Sequence, residues 1–300
     1  MSVPRLDFPV HLFDERPCFT GEGPVWDGSN LRVVWVDVLG SRVLWRSLSE
    51  GTIGECDMPS HVGAVLPTVN SDWLVFLQDG VYLTRLDGAQ PDLIEKFPIA
   101  DPDQELDPLV RANDAKVGPD GIAYVGVMAY DTEKFPNSGA LYRLEHGSLT
   151  VSIPGTTLSN GIDWSPDGQT MYHVDSARGT IEAFSYESGP ILDTRRVIAY
   201  VDPSLGIPDG MSVDVEGNLW IGLWDGGGIV GMDASGDMFG FLPIPCQHAT
   251  SCAFVGNDLR TLVVTTARFD LEPDPMFGAT FIVEMPVAGR PQSRAHVLSG

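Results

Sequence analysis

The chain alternates short apolar runs with polar turns, and the runs come in pairs. Leu31 to Asp37 is followed by Arg42 to Arg46, Asp72 to Leu77 by Val81 to Leu86, and Ile122 to Met128 by Ala140 to Leu144. Met171 to Asp175 is followed by Thr180 to Tyr186, Leu219 to Leu223 by Ile229 to Met232, and Thr261 to Thr265 by Thr280 to Met285. The runs are of strand length, rich in β-branched and aromatic residues, and bounded by Gly, Pro, Asn and Asp. No run of helical period and helical length competes with them.

Ahead of each pair stands another short strand with a recurring opening. The clearest instance is Pro208-Asp209-Gly210-Met211-Ser212-Val213. Asn160-Gly161-Ile162-Asp163-Trp164, Asn113-Asp114-Ala115-Lys116-Val117 and Glu22-Gly23-Pro24-Val25-Trp26 follow the same pattern. Aligned, the openings fall at Glu22, Val62, Asn113, Asn160, Asp209 and Ser251, with looser fits at Val62 and Ser251. Six units of about 50 residues, each with three or four short strands, predict an all-β chain folded as a six-bladed β-propeller. Residues 1–300 are expected to form one domain, with Leu6 to Phe13 supplying a strand that closes the ring with the last blade.

If each innermost strand starts at one face and runs down the central channel, Pro119-Asp120-Gly121 and Pro166-Asp167-Gly168 turn at the far face. The six openings then share one mouth with the long segments Phe97 to Val110, Met128 to Gly139, Tyr200 to Pro208 and Arg268 to Gly278. Functional groups are expected on loops that a rigid scaffold presents. Trp26 and Trp164, at equivalent repeat positions, read as blade-packing residues, and His61 and His248 as structural histidines near the mouth.

Composition narrows the partners. Forty-one acidic against 18 basic residues leave a net charge of −23, which disfavours nucleic acid and anionic membrane. No apolar run approaches the ~20 residues of a membrane helix, and Met1 to Asp7 has no signal-peptide apolar core. Cys18, Cys56, Cys246 and Cys252 show neither a Cys-x-x-Cys pair nor zinc-ligand spacing, so they read as reduced thiols of a cytoplasmic protein.

Two carboxylates, Glu22 and Asp209, would lie across a narrow mouth with Asn160. Carboxylates held close repel, and a divalent cation removes the conflict. Oxygen donors suit Ca²⁺, Mg²⁺ or Mn²⁺, while the absence of His from the set makes Zn²⁺ less favoured. Taken singly, Asn160-Gly161 and Asp209-Gly210 are also ordinary hairpin signals, Glu22 a solvated loop acid, Arg111 a partner for Asp107, and Asn113-Asp114 an Asx turn. Their shared repeat position favours the site. No Gly-x-Ser-x-Gly surrounds Ser251, and Gly226-Gly227-Gly228 opens no helix.

At Gly21 to Trp26, Arg111 to Val117, Ser159 to Trp164, Ile207 to Met211 and Thr250 to Cys252 the chain resembles the gluconolactonase family that includes senescence marker protein (regucalcin). The resemblance implies a propeller with one divalent metal held by Glu22, Asn160 and Asp209. It implies that Arg111 and Asn113 orient the substrate, that Asp209 also activates water, and that the substrate is a sugar acid lactone. Where animal lactonases carry an acidic pair after Met-Ala, this chain has Tyr130-Asp131, which leaves Asp131 as the third substrate-binding candidate. Hydrolysis of another ester or phosphotriester, or a non-catalytic metal-binding scaffold, are the alternatives.

Overall fold

A computed structural model describes residues 3–98 and 109–297. Among them, 24 strands form six four-stranded antiparallel sheets arranged as the blades of a propeller. The innermost strands are Gly21–Asp27, Val62–Pro67, Val110–Val117, Ser159–Trp164, Ile207–Val213 and His248–Val255. Each packs against the next around the channel, and the last returns to the first. Apolar side chains from both faces of neighbouring sheets fill the space between blades. Trp164, fully buried, packs there with Tyr124 and Tyr186.

The turns after three inner strands share one device. Gly121, Gly168 and Gly217 each donate to the carbonyl three residues earlier and have φ of +82°, +71° and +88°. A side chain would strain that left-handed backbone, so the turn needs glycine.

All six inner strands carry a β-bulge at or beside the predicted opening. Pairing with the second strand skips Gly23 and Pro24, Gly63, Asn113 and Asp114, Asn160 and Gly161, Asp209 and Gly210, and Thr250. A bulge frees residues from the ladder and re-aims their side chains. The glycines after the openings serve close approach rather than hairpins: a Cβ on Gly161 would stand 2.6 Å from the carbonyl oxygen of Asp209. Asn160-Gly161 is therefore not a turn but the point where two blades touch.

Ring closure differs in part from expectation. Val10–Asp14 pairs with Thr280–Glu284 and completes the sixth sheet. Leu6 does not join it: its amide donates to Phe241 in the fifth blade, next to an Arg5–Phe241 bridge. The apolar Leu6 is used to cover that blade's edge.

The far end of the channel is strapped by the C-terminal segment. Backbone bonds join Gly289 to Leu259, Arg290 to Val213, Ala295 to Pro67 and His296 to Gly121, so one extended stretch ties the sixth, fifth, second and third blades. No periodic pattern announces it.

Candidate active site

Five polar residues named from the sequence, four by the repeats and Arg111 by the resemblance, line one cavity of about 260 Å³: Glu22, Arg111, Asn113, Asn160 and Asp209. Each comes from an inner strand, four of them at the bulge or immediately before it. Val62 and Ser251, the looser fits, are not in its wall; Ser251 instead lines a small void of about 30 Å³ further along the channel.

The amide of Asn160 is oriented by its surroundings. Nδ2 donates to Ser176 Oγ at 2.9 Å, which leaves Oδ1 buried with no hydrogen-bond partner. An unpaired buried oxygen costs stability unless something meets it. Burial pushes the Glu22 carboxyl well above the ordinary glutamate range, and Asp209 and Asp114 push the same way. Asp209 is raised likewise, by burial first and then by Asp114, against the pull of Arg111 and Asn160. Two buried, electrostatically stressed carboxyls and an orphaned amide oxygen suit a hard divalent cation. Among the described residues no group of three or more His, Cys, Asp or Glu side chains gathers as a metal site, so the set rests on two acids plus the amide.

Arg111 donates to Ala112 O at 2.8 Å and to Asn113 Oδ1 at 2.7 Å, and Asn113 Nδ2 donates to Ser159 O at 3.0 Å. These bonds fix both side chains at the cavity wall. Asp107, the alternative partner for Arg111, lies outside the described residues. Asp131 is not brought to the cavity. It is exposed and its carboxylate accepts from the Lys134 amide at 2.9 Å, capping its own turn. Its neighbour Tyr130 takes the position near Arg111, whose guanidinium lies 5.8 Å from the ring centre, and shares a 2.6 Å hydrogen bond with His61 Nδ1.

The remaining wall was not anticipated. Leu39, Met128, Leu158, Ile207, Trp224 and Phe269 supply its apolar part, and Thr20 and Ser176 complete it. Trp224 is stacked on His248, ring centres 4.0 Å apart at 12°, and His248 Nε2 donates to Phe269 O at 3.1 Å. The signal available in sequence was positional: Met128, Trp224 and Phe269 all follow or end a second strand, where the loops of the mouth begin.

The molecule is thus a six-bladed β-propeller whose channel opens at one end into a cavity of carboxylate, amide and guanidinium groups backed by apolar walls. Comparison with known proteins places it further. Residues 20–268 match the SMP-30/gluconolactonase/LRE-like region, and the chain belongs to that family. It is 32% identical over 278 residues to YvrE of Bacillus subtilis, covering 90% of this chain and 92% of that one. It is 30% identical over 298 residues to the pentonolactonase XacC of Haloferax volcanii, covering 95% and 98%. Among solved structures, a calcium-binding protein, regucalcin, of Agrobacterium tumefaciens superposes with a TM-score of 0.89 at 26% identity, over 99% of this chain and 100% of that one.

Proposed function

We propose that the protein is a divalent-metal-dependent lactonase that opens the cyclic ester of a sugar acid to the free hydroxy acid. The observation that carries this is the unpartnered Asn160 Oδ1 in a cavity shared with the two raised carboxyls of Glu22 and Asp209. The kinship with a pentonolactonase supports the substrate class. A cation held by Glu22, Asn160 and Asp209 would polarise the ester carbonyl and offset the charge that develops on its oxygen.

The chain's own residues supply the rest. Asp209 takes a proton from the attacking water and returns it to the ring oxygen as the C–O bond breaks. General-base help of this kind is a role worth roughly 10²–10⁴-fold. Arg111 has N–H donors beyond the two bonds that fix it, and with Asn113 it orients the lactone's oxygens. Arg111 is a cation and has no lone pair to offer a metal. A structural ion alone would need no such donor at its side, which favours an enzyme over a scaffold.

We read all 300 residues as one propeller unit. Four buried free cysteines fit a reducing, cytoplasmic setting. The test is acid release from glucono-1,5-lactone and a pentonolactone by chelator-treated protein, with and without added Ca²⁺, Mg²⁺, Mn²⁺ or Zn²⁺. Activity that appears only with metal is expected, and full activity in metal-free protein would rule the mechanism out.

A further inference from the structure

Trp224 is the aromatic wall residue that belongs to the same blade as Asp209. It ends the strand Leu219–Trp224, and the register sets it opposite Ile207, two residues before Asp209. Both Trp224 and Asp209 line the cavity. Resting on the lactonase reading, we infer that Trp224 is a substrate-binding residue on which the lactone ring lies by its C–H face, so that the site selects rings whose hydroxyls are equatorial.

The indole is held from behind. One face is stacked on the His248 imidazole, ring centres 4.0 Å apart at 12°. His248 is buried and both its nitrogens are engaged. Nδ1 accepts from the Asp225 amide at 3.3 Å, so the ring proton is on Nε2, which donates to Phe269 O at 3.1 Å. Burial lowers the His248 pKa from the ordinary histidine value, against the pull of Asp225, and the brace is therefore the neutral ring. Phe269 packs against the indole at a tilt, centres 6.2 Å apart at 50°. Trp224 is only half-buried, and what it turns to the cavity is the side away from His248.

A sugar lactone has two unlike surfaces. Its hydroxyls and carbonyl need hydrogen bonds, while its ring C–H groups carry a slight positive charge that the negative face of an aromatic ring attracts. The cavity holds both kinds of partner, with Arg111 and Asn113 for the oxygens and Trp224 for the C–H face. Its volume of about 260 Å³ lies below the ~300–1,000 Å³ of sites for drug-sized ligands, so the ring itself must meet the walls. An equatorial hydroxyl reaches sideways to the polar groups. An axial hydroxyl on the stacked face would be pressed against the π-surface, losing water without a full replacement.

The experiment compares glucono-1,5-lactone, all of whose ring hydroxyls are equatorial, with galactono- and allono-1,5-lactone on metal-loaded protein. The two epimers carry one axial hydroxyl each, on opposite faces of the same ring. At least one should fall about tenfold or more below glucono-1,5-lactone in kcat/KM, from lost C–H burial and an unmet hydroxyl. Trp224→Leu should lower kcat/KM for glucono-1,5-lactone and remove that preference, while Trp224→Phe, which keeps an aromatic face, should retain it. Equal kcat/KM for the three lactones overturns the inference. So does a preference left intact by Trp224→Leu, or one lost as fully in Trp224→Phe as in Trp224→Leu.

Binding separates this from the lactonase reading itself. The lactam of gluconic acid resists hydrolysis, and its binding is followed by tryptophan fluorescence. Subtracting the Trp224→Phe signal isolates position 224 from the other tryptophans of the chain, which has seven in all. A Trp224 response to the lactam in protein that turns over no lactone keeps the platform and discards the lactonase reading. Lactone hydrolysis with lactam binding that leaves Trp224 emission unchanged keeps the lactonase reading and discards the platform.

Discussion

Two buried acids in one channel meet opposite fates. Asp209, at the mouth, has Arg111 as the cation that offsets its burial, and its carboxyl is raised well above the usual range. Asp163, toward the strapped end, is equally buried but held by Lys116 at 3.0 Å and Arg290 at 2.6 Å, and it also accepts from the Val213 and Trp164 amides. Burial pushes Asp163 up, yet the two cations and their hydrogen bonds outweigh it and leave its carboxyl below the ordinary aspartate range. Arg290 arrives on the C-terminal strap, so the chain brings its own counter-charge to this end from the far end of the sequence. The strapped end is satisfied within the fold; the mouth is left with oxygens to offer. Residue type does not separate structure from function here, but the presence of in-chain partners does.

The largest expected effect is at the mouth. Asp209→Asn keeps the shape and one carbonyl oxygen but removes the base. Lactone hydrolysis should fall by about 10²–10⁴-fold and stay low when excess metal restores occupancy. Metal titration followed by activity at saturation decides it, since recovery to near the unaltered rate would make Asp209 a ligand alone.

The matching change at the strapped end should act on stability instead. Asp163→Asn leaves Lys116 and Arg290 buried without their anion, with an expected loss of about 3–5 kcal/mol in denaturant unfolding. Metal-free Asp209→Asn should lose none, because it removes a carboxylate that burial disfavours. If both variants proved equally destabilised, the contrast between the two ends would be broken.

Glu22→Gln sharpens the mouth further. This residue is assigned to ligation only, so metal affinity should drop about 10–100-fold, a range known even for groups that only support ligands. Added metal should restore part of the activity. Unchanged metal affinity would remove Glu22 from the set.

The smallest effect concerns a third buried acid that resembles Asp163 in being paired. Burial pushes Glu182 up, but the nearby His173, whose Nδ1 lies 3.7 Å away, and Arg195, which donates to it at 2.5 Å, bring it down to about 2. A depressed folded-state carboxyl adds stability that is present above its unfolded pKa of about 4.3 and lost as pH falls through about 2. Glu182→Gln should flatten that acid limb by roughly 2 kcal/mol, read as unfolding free energy against pH. An unchanged limb would show that the pairing contributes nothing.

What the sequence determined by itself is local and repeating. Short apolar runs alternate with polar turns in a unit that recurs six times, and turns such as Pro166-Asp167-Gly168 require a left-handed glycine, so blade number and strand order follow from the chain alone. The recurring openings at Glu22, Asn113, Asn160 and Asp209 were visible for the same reason: one position in a repeated unit meets its equivalents around a closed ring. The tertiary structure decided which side chains meet across blades. It turned Asp131 to its own loop and put Tyr130 with His61, chose Leu39, Leu158, Trp224 and Phe269 as walls, and sent Leu6 to the fifth blade. It also laid the C-terminal strap with Arg290 against Asp163, 127 residues away in sequence. No period connects these residues, because their contacts depend on the packing of whole sheets rather than on the spacing along any one of them.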